Sequence, residues 1–270
     1  MHYRLSLAAL TVLELDPPTM VTCAAEAGFD HVGLRLIPST ASEPHWPTIG
    51  QTPLIKETKR RLEEHGIAPW DIETLRLKPD TDVKRDFEPF LATGAFLGAR
   101  HIVVAGNDPD PRRLADNLAA LADIAGEYGL TPNLEFMPWT DVRDLASAAK
   151  VCAAAGHDNL GILVDSIHLD RSLSDPAQIA ELPATWFHYV QLCDATAERP
   201  SDTETLLHQA RIDRRLPGEG DLDVLAPLRH LPRDLVISVE APLELPQPAR
   251  AEERASRAHE ATLRTLALLG

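Results

Sequence analysis

The sequence predicts an α/β protein folded as a single closed (β/α)8 barrel. Three observations point there. Short apolar runs recur eight times along the 270 residues. Helical segments, most of them ending at a glycine, lie between these runs. The length is ordinary for such a barrel, and no Gly/Ser-rich linker divides it, so residues 1–270 are read as one domain. Strands alternating with helices imply a parallel sheet. An open doubly wound sheet is the alternative. No GxGxxG follows the first run and no GxxxxGK[ST] occurs, so its nucleotide-binding versions lose support.

Taken in order, the first strand is expected at 5–13, followed by a helix over 19–27 that stops at Gly28. The second strand is expected at 31–37 and its helix at 53–65, closed by Gly66. A third strand at 69–77 precedes a helix over 86–97 ending at Gly98, and a fourth at 101–105 precedes one over 111–128 ending at Gly129. Strand five, 133–137, leads to a helix over 141–155, with Asp141 as an acidic N-cap candidate and Gly156 as its stop. Strand six, 161–167, is followed by a short helix at 175–182. Strand seven, 187–192, leads into a long polar loop at 196–220 and a weak helix at 222–231. Strand eight, 235–239, and a helix at 249–269 close the chain. These runs are too short for helices and rich in Val, Ile, Leu and Phe, as strands buried on both faces are.

Composition narrows the function. Hydrophobic residues make up 44% and charged residues 25%, which excludes disorder, collagen and a polytopic membrane protein. Acidic residues number 41 against 26 basic ones, a net charge of −15 that repels nucleic acid at long range. The three cysteines, Cys23, Cys152 and Cys193, form no CxxC, and a reducing cytoplasm is the expected home. The N-terminal 5–13 run faintly imitates a signal peptide. Glu14 and Asp16-Pro17-Pro18 stand where a cleavage site would be, so it is read as a strand. No apolar run reaches the length of a membrane span.

In such a barrel the chemistry sits at the C-terminal ends of the strands. Four consecutive strands carry a polar residue inside an apolar run there: Glu135, Asp165, Gln191 and Glu240. Any one acid could be a buried carboxylate paired with Arg or Lys. Three acids pointing into one mouth repel one another unless a cation lies between them. An all-oxygen set of two Glu, one Asp and one Gln carbonyl suits Mn²⁺ or Mg²⁺ better than zinc. His168, three residues after Asp165, either faces the mouth or is a surface loop histidine. Arg214 precedes a rigid Pro217-Gly218-Glu219-Gly220 turn, and is either a solvated cation or one delivered over the mouth to a substrate oxygen. Glu14, Arg35, Glu73, Trp46, Trp70 and Trp139 are weaker candidates, Asp194 is a candidate for orienting a ligand, and His101 is read as structural. No GxSxG elbow is present, and no cysteine has an adjacent base.

The four strand-end residues, Asp165-x-x-His168, the Gln191-Leu-Cys-Asp194 run and Leu216-Pro-Gly-Glu-Gly-Asp221 resemble the xylose-isomerase-like TIM-barrel superfamily over essentially the whole chain. That group holds sugar phosphate isomerases and epimerases, ketose 3-epimerases, hydroxypyruvate isomerases, inosose dehydratases and endonuclease IV. The resemblance implies that Glu135, Asp165, Gln191 and Glu240 hold one divalent metal ion, with Glu135 and Glu240 also acting as the acid/base pair. Gln191 departs from the usual histidine ligand, as it does in hydroxypyruvate isomerases. His168 and Arg214 would bind substrate, with Arg215 the alternative to Arg214. The DNA-repair members fit poorly, because strands three and four lack extra histidine ligands.

The expected function is therefore a metal-dependent isomerase or epimerase of a small sugar or hydroxy-carbonyl compound, working through a cis-enediolate held by the metal. A dehydratase (lyase) of a keto-polyol or keto acid on the same site is the alternative. A non-catalytic sugar-binding barrel and a repair endonuclease are the remaining readings. A homo-oligomer is expected only by analogy with the group.

Overall fold

The structure is a computed structural model that describes residues 3–245 and 249–269. Eight parallel strands follow one another around a closed barrel in sequence order, with the last pairing the first. They are β1 (Leu5–Leu7), β2 (His31–Arg35), β3 (Ala68–Leu77), β4 (His101–Gly106), β5 (Thr131–Glu135), β6 (Gly161–Asp165), β7 (Tyr189–Leu192) and β8 (Val236–Val239). Among the described residues eight α-helices stand outside: α1 (Pro17–Glu26), α2 (Pro53–His65), α3 (Val83–Leu97), α4 (Pro111–Glu127), α5 (Leu145–Ala155), α6 (Ser166–Arg171), α7 (Thr203–Arg211) and α8 (Ala251–Leu266). The expected (β/α)8 barrel is the observed one.

Local chemistry sets the helix limits. Asp16, Thr52, Asp82, Asp110, Asp144 and Asp202 each accept a backbone N–H in the first turn of the following helix. Proline occupies the opening turn of α1, α2 and α4, where its missing N–H costs nothing. Gly66 ends α2 with φ +65°, a conformation only glycine adopts freely.

Alternate strand residues face opposite sides of the sheet. Leu5, Val32, Leu34, Ile72, Leu134, Ile162, Val190 and Ile237 pack outward against the helices in the main core. Full burial of each such side chain contributes roughly 1.5–3 kcal/mol. A second cluster, Trp70, Val103, Leu163, Tyr189 and Val236, fills the barrel interior. At its N-terminal end the rings of His31, Trp70, His101 and His188 pack in succession. His101 is thus structural in position, as expected, and Trp70 belongs to the barrel floor rather than to the mouth.

Several elements differ from the sequence reading. The first strand ends at Leu7, and Ala9–Val12 form a 3₁₀ turn. That stretch is apolar because Ala9 and Val12 pack into the core, while the Thr11 hydroxyl donates to the Val239 carbonyl and accepts from the Ala241 amide. The sixth strand ends at Asp165, whose side chain caps α6 immediately, so Ser166 and Ile167 are helical. The long polar loop at 196–220 contains α7, opened by Asp202, which accepts from the amide and the hydroxyl of Thr205. The weak helix at 222–231 reduces to a 3₁₀ turn at Pro227–Arg229, because Pro227 has no N–H to continue a helix. The short helix at 175–182 is likewise 3₁₀, Pro176–Glu181. Helix α5 opens at Asp144, not Asp141, through a reciprocal capping box with Ser147. No helix among the described residues is long and apolar enough to cross a membrane.

Candidate active site

The C-terminal strand ends surround a narrow cleft open to solvent, lined by Arg35, Glu73, Arg76, Glu135, Trp139, His168, Gln191, Arg211, Arg214 and Glu240, among others. The barrel register explains the grouping. Gln191 is level with Asp165 on β6 and with Ser238 on β8. Glu135 is the last residue of β5, and Glu240 stands one residue beyond β8, above Ser238 on the inward face.

Glu135, Asp165 and His168 each present a ligand atom within 4.8 Å of the others. His168 Nε2 lies 3.6 Å from Glu135 Oε1 and 3.8 Å from Asp165 Oδ2. His168 is therefore buried in the mouth, not on the surface. The first turn of α6 puts it there, and Trp139 meets its ring edge-on at 5.0 Å. Burial pushes its pKa down to about 4, Arg214 and Arg211 reinforce this, and Asp165 opposes it, so the imidazole is neutral. Its Nδ1 and the Oε1 of Gln191 are buried with no hydrogen-bond partner.

Arg214 sits among these acids rather than above them. It is buried, and its Nη1 meets Asp165 Oδ2 at 2.7 Å while its Nη2 meets Glu240 Oε2 at 3.0 Å. Its Nε donates to the Ala210 carbonyl at 2.6 Å and its Nη1 also to the Glu240 carbonyl at 3.0 Å. Arg215 is bridged in the β-manner to Asp194 and pairs with Asp213, outside this cluster. The position of Arg214 comes from Asp194, just after β7. This fully buried carboxylate accepts from the amides of Ala195, Gly218 and Leu222. Asp194 therefore fixes the turn that carries Arg214.

Charge in the mouth is unevenly balanced. Burial raises the Asp165 pKa, but Arg214, His168 and the Ile167 amide outweigh it and hold the carboxyl below its ordinary range. Burial, then Glu240 and Asp165, push Glu135 well above that range. Burial, then Glu73 and Asp165, raise Glu240 to about 8 despite Arg214. Glu73 pairs with Arg35 at 2.8 Å, and Arg35 also holds Glu43 at 3.0 Å. Of the weaker candidates, Arg35, Glu73 and Trp139 line the cavity. Glu14 pairs with Arg254, and Trp46 lines a neighbouring apolar pocket.

Two features escape the sequence reading. Asp71 is fully buried with both oxygens unpartnered, and burial, then Glu73 and Glu240, hold it well above the carboxylate range. The Asp71-Ile72-Glu73 alternation inside an apolar strand is the signal that would have found it. Arg76 and Arg211 also line the cavity, and Arg211 lies at the end of the unforeseen helix α7.

The donor set fits a divalent cation. Carboxylate oxygens of Glu135 and Asp165 converge beside His168, a neutral amide oxygen of Gln191 faces inward unpartnered, and burial and mutual repulsion raise Glu135 and Glu240 above the carboxylate range, a repulsion that a cation would relieve.

Known proteins resemble this chain in sequence and in fold. A 3-dehydroshikimate dehydratase of Pseudomonas putida is 31% identical over 123 residues, 44% of this chain. That match takes in 19% of the relative's length, so the chain spans about a fifth of that longer protein. An inosose isomerase of Bacillus velezensis is 24% identical over 79% of both chains. The IOLI protein, solved with a bound zinc atom, superposes with a TM-score of 0.81 at 20% identity over 98% of each chain. The model of the xylose isomerase-like TIM barrel family matches residues 21–262, and the chain belongs to that family.

Proposed function

We propose that the protein is a divalent-metal-dependent isomerase or epimerase of a small sugar or hydroxy-carbonyl compound, with Glu135 and Glu240 as its acid/base pair. The observation that carries this reading is the convergence of Glu135, Asp165 and His168 at the mouth of a family barrel, with Glu240 across Arg214. Glu135, Asp165, Gln191 and Glu240 would hold the metal, Mn²⁺ or Mg²⁺ by the hardness of the oxygen set. When bound, it would polarise the substrate carbonyl and acidify the adjacent C–H.

The chain's own groups do the rest. One carboxylate of the pair takes the proton from carbon, and the other returns a proton to the neighbouring carbon or to the opposite face. A positioned base of this kind contributes roughly 10²–10⁴-fold. His168 is neutral and buried, so it donates to a substrate oxygen without adding charge. Arg214 offers a fixed cation to negative charge developing on oxygen. Trp139 and Met137 add apolar surface to the cavity lining.

A second reading keeps the site and changes the outcome. Loss of a β-hydroxyl after the same proton abstraction gives a dehydratase. It is supported by the Pseudomonas dehydratases, 31% and 34% identical over 123 residues.

The test is solvent exchange. Protein stripped with a chelator and reloaded with Mn²⁺ is incubated in deuterated water with a panel of ketoses, inososes and keto acids. Metal-dependent deuterium uptake at the carbon beside the carbonyl is expected, lost in Glu135→Gln and in Glu240→Gln. Uptake retained in both variants refutes the acid/base assignment, and product analysis separates isomer from dehydrated product.

A further inference from the structure

Four arginines line the mouth, and they fall into two pairs. Arg35 and Arg214 are each tied to two carboxylates. Arg76 and Arg211 make no ion pair among the described residues. Arg76 donates only to the Asn107 side-chain oxygen, at 3.2 Å. Arg211 lies over the Trp139 ring, 6.0 Å from its centroid. Both are half-buried, and both open onto the cavity that holds Glu135, His168 and Glu240. Burial and then Arg211 pull the Arg76 pKa below its ordinary value, while burial does the same to Arg211.

A structural role explains this poorly. Arg211 suits a helix C-terminus, but Arg76 stands on an inner strand where a neutral side chain would avoid both desolvation and repulsion. Guanidinium groups with idle donors in a sheltered cleft match an oxyanion, whose two oxygens take paired N–H bonds. The same cavity already holds Glu43, Glu73, Glu135 and Glu240, so a monoanion is less repelled than a dianionic phosphate.

We propose that Arg76 and Arg211 form a carboxylate subsite, so the natural substrate is a hydroxy-carbonyl acid rather than a neutral sugar. This rests on the function proposed above and specifies its substrate class. The carboxylate takes N–H donors from Arg76 and Arg211 beside Trp139 and leaves the hydroxy-carbonyl end for Glu135 and Glu240.

The experiment compares three ligands that differ only at one terminus: D-fructuronate, D-fructose and D-fructose 6-phosphate. Binding is measured calorimetrically on the whole protein, with chelator and with Mn²⁺, for wild type, Arg76→Gln, Arg211→Gln and the double variant. D-fructuronate is expected to bind wild type at least tenfold more tightly than D-fructose. Each single variant should remove about tenfold of that preference, with weak D-fructose binding and the urea midpoint unchanged. An affinity for D-fructuronate no greater than for D-fructose, including no binding by either, overturns the proposal. So does tighter binding of the phosphate, or a preference that survives in the double variant. If a variant misfolds, the wild-type comparison alone decides. Failure of metal-dependent exchange refutes the function and leaves this preference standing, so the two failures are distinguishable.

Discussion

The Arg214 guanidinium meets the Asp165 carboxylate at 2.7 Å in a part of the mouth where both groups are at most 2% exposed. A cation in this position does electrostatically what a metal ion would do: it relieves repulsion among Asp165, Glu135 and Glu240. A metal bound by the proposed ligands would therefore compete with the guanidinium for the same carboxylate oxygens.

Arg214→Met exposes that competition. Breaking a buried pair by removing one partner costs about 3–5 kcal/mol. The variant is expected to melt well below wild type in chelator and to gain more than wild type from added Mn²⁺. Thermal melts with and without metal measure this. Equal metal-induced shifts in the two proteins would refute the competition.

Asp194 organises the turn that delivers Arg214 by accepting three backbone amides. Asp194→Ala leaves the buried Ala195 amide and the part-buried Gly218 and Leu222 amides without their acceptor, at about 1–3 kcal/mol for the buried one and less for the other two, which water can reach. Hydrogen exchange at Gly218 and Leu222 should rise sharply, while exchange in the distant strand β4 should not change. Unaltered exchange at Gly218 would show that Asp194 does not hold the turn.

Gly218 has φ +79°, and a Cβ there would sit 2.3 Å from Thr265 Oγ1. Gly218→Ala should destabilise by about 1 kcal/mol from the backbone and by more from the clash. Adding Thr265→Ala should recover the clash and leave the backbone part. Urea unfolding of the two single variants and the double variant separates the contributions, and strict additivity would mean that the two residues do not meet.

His101 predicts an acid-sensitive stability. Burial first, then His188 and Arg100, lower its pKa from 6.5 to about 3. The unfolded chain thus binds a proton that the folded chain refuses between those values. The contribution is fully present above pH 6.5 and is lost as pH falls, at about 1.4 kcal/mol per pH unit at most. His101→Asn should lose less stability than wild type between pH 7 and pH 5. Parallel losses in urea midpoints would contradict this.

Much of the barrel was legible because apolar runs and helix-stopping glycines are local signals. The strand starts at His31, His101 and Gly161 and the limits of α2 match the sequence reading. What misled was apolar sequence that buries without pairing, as at Ala9–Val12, and polar sequence that is helical because one aspartate caps it, as at Thr203–Arg211. For the candidate site, the placement of Glu135, Asp165, Gln191 and Glu240 at or just beyond the strand ends was legible from polar residues in apolar runs. The reach of Arg214 was not, because it depends on Asp194 gripping amides 24 and 28 residues further along the chain. Nor was the pairing of Arg35 with Glu73 and Glu43, which leaves Arg76 and Arg211 unmatched.

Strand β8 returns to β1, with Leu5, Ser6 and Leu7 registered against Ile237, Ser238 and Val239. The sheet consequently has no free edge, and no ribbon of idle amides and carbonyls is offered to a passing chain. Copies of this protein cannot associate by adding strand to strand at a sheet edge, which leaves the outer helices and loops as contact surfaces. A gain or loss of self-association can therefore be engineered there while the inward-facing ring of acids and arginines is left as it stands.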